Sequence, residues 1–317
     1  MADKKILLSG VKPTGRPHIG NYFGAMKRFV EMQGSYESYV FIADSHALTS
    51  LQNKQELKSN TLGVLLDYMA IGLNPQKVTL YKQSDVPQVT ELTWIFNCLT
   101  TVPYLMRAHA YKDAVANGKE PTVGLFDYPL LMAADILIQG ADVVPVGQDQ
   151  KQHVEIARDT AQKFNNVFGG TFKLPESIIL ESVATVPGTD GRKMSKSYGN
   201  TIPIFATDEE IEKAVMSIVT DSSSGIPENV YAIHTLLREK GDLDKLYAEK
   251  KGQYKELKEA LIEDLKKFIG PMREKRQALE KDKGVVLEVL KAGGQVARER
   301  AEKKMEEVRE KIGLKIS

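Results

Sequence analysis

Two short segments of the chain carry side chains suited to a nucleoside triphosphate. The first, GVKPTGRPHIGN at Gly10–Asn21, sets Lys12, Pro13 and Thr14 in a loop that ends on His18-Ile19-Gly20-Asn21. A helix starting there presents free backbone N–H groups and the positive end of its dipole to an anion. The imidazole of His18 can donate to a phosphoryl oxygen, and Gly20 removes the side chain that would block a nucleotide on the first turn. Gly10 and Gly15 imitate the spacing of a P-loop, but Arg16-Pro17 stands where Lys-Ser/Thr should follow, and Pro13 deletes a backbone donor. The P-loop is therefore excluded, and no GxGxxG dinucleotide fingerprint occurs. Alone, HIGN also fits an ordinary junction between loop and helix.

The second segment, GRKMSKS at Gly191–Ser197, lies about 170 residues downstream in the Gly-rich stretch VPGTDGRKMSKSYGN. Lys193 and Lys196 flank Met194 and Ser195, with Ser197 beyond. Two mobile cations among hydroxyls can follow a pyrophosphate as it leaves. A solvated basic loop is the plain alternative.

A third feature is a lone acid, Asp135, inside LMAADILI. An ionised carboxylate among apolar residues is costly without a partner. It is either hydrogen-bonded within the protein or an acceptor for a donor on an aromatic substrate, an indole N–H or a phenol O–H. Tyr128, Met132 and Asp135 share one helical face at i, i+4 and i+7. Downstream, Val144 and Val146 share a strand face and can line a flat slot, while Gly147 permits close backbone approach at the strand's carboxyl end. Asp149 reads as a helix N-cap, a ribose acceptor, or both.

These residues need a scaffold. Strands are expected at Lys5–Ser9, Tyr39–Ala43, Val78–Tyr81 and Asp142–Val146, alternating with helices at Ile19–Met32, Gln55–Ile71, Val89–Leu99, Tyr128–Gln139 (Pro129 near its first turn) and Asp149–Phe164. Such alternation predicts an α/β, Rossmann-like parallel sheet covered on both faces. Tyr111–Thr122 is polar and reads as a loop, inert or a lid. After Asp208 only helical patterns occur, ending in a helix over Gln295–Ile312 whose Ala301, Met305, Val308 and Ile312 form one buried stripe. The expected organisation is a catalytic domain over 1–205 and an α-helical region over 206–317.

Bulk properties exclude several classes. A single cysteine cannot form an internal disulfide, and with five scattered histidines it makes a structural zinc or iron–sulfur site untenable. Cys98, within WIFNCL, reads as a small core residue. No apolar run is long enough for a membrane span or a signal peptide, so the cytoplasm is expected. Net charge is +1, with residues 238–317 holding 22 Lys/Arg against 17 Asp/Glu and the remainder 21 against 25. A solvated helical surface and an RNA face account for that asymmetry equally well.

The pairing of HIGN after the first strand with KMSKS near residue 195 resembles the class I aminoacyl-tRNA synthetases. With YPLLMAADIL and DVVPVGQDQKQHVE added, most of residues 1–200 looks like the tryptophanyl-tRNA synthetase family; the tyrosyl enzymes share the fold and the pocket carboxylate, so VPVGQDQ carries the distinction. The resemblance implies ATP as a substrate with Mg2+ and no metal held by the protein alone. It implies an ATP site from Lys12, Pro13, Thr14, His18, Gly20, Asn21, Gln148, Met194 and Ser197, with ribose on Gly147 and Asp149 and adenine on Val186. Lys193, Ser195 and Lys196 would act on the phosphates, making them catalytic together with His18 and Asn21. Asp135, Tyr128, Met132, Val144, Val146, Gln150 and His46 would bind the amino acid, His46 being otherwise a satisfied core histidine.

The implied reaction needs no protein nucleophile. The carboxylate of L-tryptophan attacks the α-phosphorus, pyrophosphate leaves, and tRNA(Trp) takes the aminoacyl group, on a homodimer whose helical region binds the anticodon. Leu8, Lys12 and Asn21 depart from the family's usual Phe, Gln and final His, and Lys112 is a candidate phosphate contact. A tyrosine enzyme, a small-molecule nucleotidyltransferase and a non-catalytic RNA-binding relative are the competing readings.

Overall fold

The computed structural model describes residues 4–118, 120–179, 186–220 and 225–316. Strand β1 (Ile6–Val11) runs through the Gly/Pro loop into α1 (Ile19–Asn21), a wider π turn (Tyr22–Met26) and α2 (Lys27–Met32). β2 (Glu37–Ile42) leads through α3 (Asp44–Ala47) to α4 (Lys54–Ala70), and β3 (Val78–Lys82) leads to α5 (Gln88–Leu99). Then come α6 (Val102–Leu105), α7 (His109–Ala116), α8 (Val123–Ile138), β4 (Val143–Val146), α9 (Lys151–Phe168) and β5 (Glu176–Ile179). The remainder is helical: α10 (Asp208–Met216), α11 (Glu228–His234), α12 (Lys240–Glu249), α13 (Tyr254–Lys281) and α14 (Lys283–Lys311). Among the described residues no strand follows Asp208.

The five strands are all parallel, in the order β3-β2-β1-β4-β5. This is the α/β sheet expected from the alternation. Ile6, Leu7, Leu8 and Ser9 of β1 are all buried, as required of a central strand covered on both faces. One cluster packs α2 and α4 with α10, α11 and α13 on one side of the sheet, and a second packs α5, α8, α9 and the end of α14 on the other.

Several expectations need correction. Residues 111–116 of the polar segment are helical, in α7, because Tyr111 packs on Phe126 and gives the turn an apolar anchor; Lys119 of that segment lies outside the described residues. Helix α8 begins at Val123, where the Thr122 side chain accepts from the Leu125 N–H, so Pro129 sits inside the helix rather than in its first turn. The N-cap of α9 is Gln150, which removes the capping role from Asp149; the Asp149 side chain itself lies outside the described residues. Strand β5 was not expected, since an edge strand reading Glu-Ser-Ile-Ile is too short and too polar to announce itself. Cys98 is exposed rather than core, because α5 carries it one turn beyond the outward-facing Trp94.

The last helix also starts earlier than read, at Lys283, with Asp282 capping the Val285 N–H. Ala301, Met305 and Val308 are fully buried as a stripe, and they join the cluster around α5 and α8. Upstream of them α14 crosses β3 so closely that a Cβ on Gly293 would lie 1.9 Å from the Leu80 carbonyl oxygen. The exposed flank of an edge strand is thus covered by a helix.

Within the helical region, buried polar groups are paired. Lys258 donates to the carbonyls of Met216 (2.9 Å) and Ile218 (2.7 Å), satisfying open acceptors at the end of α10. His234, fully buried, meets the Asp264 carboxylate at 2.7 Å through Nε2 and the Tyr247 hydroxyl at 3.2 Å through Nδ1, and Arg238 also pairs with Asp264. Burial pushes the Asp264 carboxyl up, but the hydrogen bonds from Arg238 and His234 outweigh it and leave its pKa below the ordinary value. Asp264→Ala is expected to lower stability by about 3 kcal/mol at neutral pH. A depressed folded-state pKa contributes above the unfolded pKa and is lost on acidification, so the wild-type advantage should shrink only below about pH 4. Urea midpoints measured at pH 7 and below pH 4 check both statements.

Candidate active site

The strand order reverses between β1 and β4, and it is there, at the carboxyl ends, that an open parallel sheet leaves a crevice. Val11 passes into the Lys12–Thr14 turn, where the Thr14 N–H donates to the Lys12 carbonyl at 2.9 Å. The chain then pairs with a remote segment. The Ile19 N–H donates to the Ile202 carbonyl (2.9 Å) and the Ile204 N–H to the Pro17 carbonyl (3.1 Å), placing His18 opposite Pro203 in an antiparallel bridge. The polypeptide leaving KMSKS therefore runs directly alongside HIGN. Lys196 closes the contact, its Nζ donating to the carbonyls of Thr14 (2.8 Å) and Gly15 (3.0 Å).

The KMSKS loop is stapled from within. Met194 N–H donates to the Val186 carbonyl at 2.9 Å, and Asn200, buried, accepts from the Ser195 N–H (2.8 Å) while donating to Asp190 (2.6 Å) and to the Lys193 carbonyl (3.2 Å). A Cβ on Gly188 would fall 2.2 Å from the Asn200 amide, so the loop's tight return demands glycine.

Between the two motifs lies a cavity of about 860 Å³. Lys12, Thr14, His18, Gly20, Asn21, Val186, Lys193, Met194, Ser195 and Lys196 line it, along with Gly24, Ala25 and Met26 of the π turn. A second cavity, of about 610 Å³, opens beside it and is lined by Leu8, His46, Tyr128, Met132, Val144, Val146, Gly147 and Gln150. Val11, Lys12, Thr14, Ala25 and Tyr68 border both, so the two spaces share a wall. Of the residues expected at the site, Pro13, Gln148, Ser197 and Asp135 line neither cavity. Lys112, on α7, also stands apart from both.

Electrostatics follow from burial. His18 has its pKa pushed down to about 4, first by burial and then by the Lys196 charge, so the ring is neutral at pH 7. Its Nδ1 has no hydrogen-bond partner among the described residues. A Cβ on Gly20 would come within 3.0 Å of that nitrogen. Asn21 serves the same turn structurally, its Oδ1 accepting from the His18 N–H at 3.1 Å. Burial lowers the pKa of Lys12 and of Lys196, and nearby Asp67 partly offsets the effect on Lys196.

Asp135 lies behind the second cavity, 3% exposed, with its pKa raised well above the ordinary value by burial. Its Oδ2 accepts from the Gln83 amide at 2.7 Å, and the same amide nitrogen stands 2.7 Å from His46 Nδ1, while Gln83 Oε1 accepts from the His46 N–H (3.1 Å). The buried amide of Gln83 thus organises both titratable groups. Tyr128 meets His153 Nε2 through its hydroxyl at 3.1 Å. Gln83, Asp67, Tyr68 and Asn200 were missed in sequence reading. Gln83 had one usable signal: it follows β3 at the carboxyl edge, where site residues collect.

Residues 2–283 match the family model described as tRNA synthetases class I (W and Y). The chain belongs to this family. A tryptophan–tRNA ligase of Fusobacterium nucleatum subsp. nucleatum is 50% identical over 317 residues, covering 97% of each chain. Among solved structures, the tryptophanyl-tRNA synthetase of Campylobacter jejuni complexed with ADP and tryptophan superposes with a TM-score of 0.92 at 44% identity, covering 97% of this chain and 99% of that one. The Mycoplasma pneumoniae enzyme follows, with a TM-score of 0.81 at 29% identity over 98% of both chains. The fold of a class I synthetase accounts for both the parallel sheet and the pairing of the two motifs across its crevice.

Proposed function

We propose that the chain is a tryptophan–tRNA ligase, activating L-tryptophan with ATP to tryptophanyl-adenylate and passing it to tRNA(Trp). The observation that carries this reading is the shared wall: a lysine-bearing cavity between HIGN and KMSKS adjoins a more apolar slot between β4 and α8. A triphosphate in the first and an indole in the second bring the amino-acid carboxylate to the α-phosphorus. The likeness to a structure holding ADP and tryptophan supports the same placement.

The mechanism is one of positioning and charge. Neutral His18 donates to a phosphoryl oxygen from the first turn of α1, and Asn21 fixes that turn. Gly20 admits the nucleotide, Lys12 and Thr14 border the phosphates with Pro13 shaping the turn behind them, and Val186 and Met194 wall the adenine. Gly147 and Asp149 are assigned to ribose. Lys193, Ser195 and Lys196 form the opposite side of the phosphate site. Tyr128, Met132, Val144, Val146 and Gln150 enclose the indole, and Asp135, with Gln83 and His46, supplies its polar end.

Mg2+ fits this site as a companion of the triphosphate, where it would neutralise phosphate charge. No group of three His, Cys, Asp or Glu among the described residues could cage it, and Mg2+ commonly binds through substrate phosphates. No helix of the described residues is long and apolar enough to cross a membrane; a cytoplasmic site of action follows from the proposed use of tRNA. Trp94, Cys98, Val102 and Met106 leave an apolar surface on α5 and α6 that suits a homodimer. We place the anticodon on the helices after Asp208.

Tryptophan-dependent exchange of pyrophosphate into ATP, run against all twenty amino acids, tests the reading. Response to tyrosine in place of tryptophan overturns it, and exchange without tRNA charging points to a small-molecule nucleotidyltransferase. Asp135→Ala should lower kcat/KM for tryptophan roughly 10- to 100-fold, with the fold retained by circular dichroism. Full activity in that variant removes Asp135 from the site.

A further inference from the structure

Helix α13 belongs to the helical region, yet one of its side chains pairs with an acid that lines the first cavity. Arg276 Nε donates to Asp67 Oδ1 on α4 at 2.6 Å, Nη1 holds Glu280 at 3.2 Å, and the guanidinium lies 5.5 Å from the Phe205 ring centroid. Asp67 is 4% exposed and lines the cavity, the one acid on a described wall that also carries Lys12, Lys193 and Lys196. Arg16 and Lys196 are the other cations whose charge reaches it. Burial raises the Asp67 pKa, while the Arg276 hydrogen bond and charge act against it; the carboxylate charge on this wall repels a triphosphate wherever the guanidinium does not offset it.

We propose that Arg276 is a positioning residue for ATP: by neutralising Asp67 it lets the cavity accept the triphosphate, so that the seating of α13 on α4 sets nucleotide affinity. The inference rests on the ATP reading of the cavity. It concerns the phosphates alone, and adenosine should be indifferent to it.

Calorimetric titration of ATP and of adenosine into the full chain tests it, using wild type, Arg276→Gln, Asp67→Asn and the double variant. Arg276→Gln should weaken ATP about tenfold and adenosine less than about twofold, and adding Asp67→Asn should restore most of the loss. Asp67→Asn alone, with Arg276 left uncompensated, should tighten ATP several-fold. A merely structural pair would weaken both ligands together. Equal weakening of ATP and adenosine, or no recovery in the double variant, overturns the proposal. Should Arg276→Gln not fold, weaker ATP binding by Asp67→Asn alone overturns it as well. Wild-type exchange with tryptophan judges the proposed function separately, since these titrations involve no amino acid.

Discussion

Lys196→Ala is expected to lower kcat for tryptophan-dependent pyrophosphate exchange by roughly 10²- to 10³-fold, with the KM for tryptophan near its wild-type value. The ammonium rests on the carbonyls of Thr14 and Gly15, at the mouth of the HIGN loop. Those acceptors hold it in the triphosphate cavity, away from the slot proposed for the indole. Charge builds on the bridging oxygen and the departing pyrophosphate only as the bond breaks, so a cation free to shift onto them acts chiefly in the transition state. Lys196→Arg keeps the charge but exchanges a compact ammonium for a planar fork, and should recover only part of the rate. Rapid-quench measurement of adenylate formation isolates the step. A variant that loses affinity for tryptophan while forming adenylate at the normal rate would refute the assignment.

The second large effect is on folding. Gly293→Val should cost more than about 4 kcal/mol or prevent folding altogether. Glycine in the middle of a helix is itself unfavourable by about 1 kcal/mol, so its presence calls for a reason. Here the Leu80 carbonyl lies where a Cβ would stand, whereas a Cβ on the neighbouring Gly294 would meet only the Asp85 side chain, at 2.9 Å. A backbone carbonyl cannot rotate aside as a side chain can, so a valine must lift α14 from β3. Gly241 supplies the control: it lies in the first turn of α12 with nothing within 4 Å of its would-be Cβ, and Gly241→Ala should be neutral or stabilise by less than about 1 kcal/mol. Thermal denaturation of both variants decides, and a near-neutral Gly293→Val would show that α14 has another way to pack.

What could be read in advance follows the range of the forces involved. The parallel sheet announced itself because Ile6–Leu8, Val40–Ile42 and Leu80 are apolar runs set between helical periods, a local signal. The HIGN and KMSKS segments were equally legible, since each needs a fixed local spacing. The pairing of Pro17 and Ile19 with Ile202 and Ile204 was not, because backbone hydrogen bonds leave no trace in side-chain type. Gln83 was invisible for a related reason: an amide carries no charge, and only the fold brings it between His46 and Asp135. The start of α14 was hidden by Gly293 and Gly294, which look like a break in a helix and are instead its point of contact with the sheet. Cys98 misled through composition, as its neighbours Ile95 and Phe96 are core while the next turn faces outward.

Helix α5 carries the chain's single indole, Trp94, 68% exposed, and one turn later its single thiol, Cys98. Intrinsic emission excited at the indole band therefore reports the polarity around one outer face and nothing in the crevice. The homodimer proposed on this face predicts that dilution separating its subunits shifts that emission to the red. A dye attached at the thiol, one turn away, would quench it, and the single native cysteine makes that attachment specific without an engineered site.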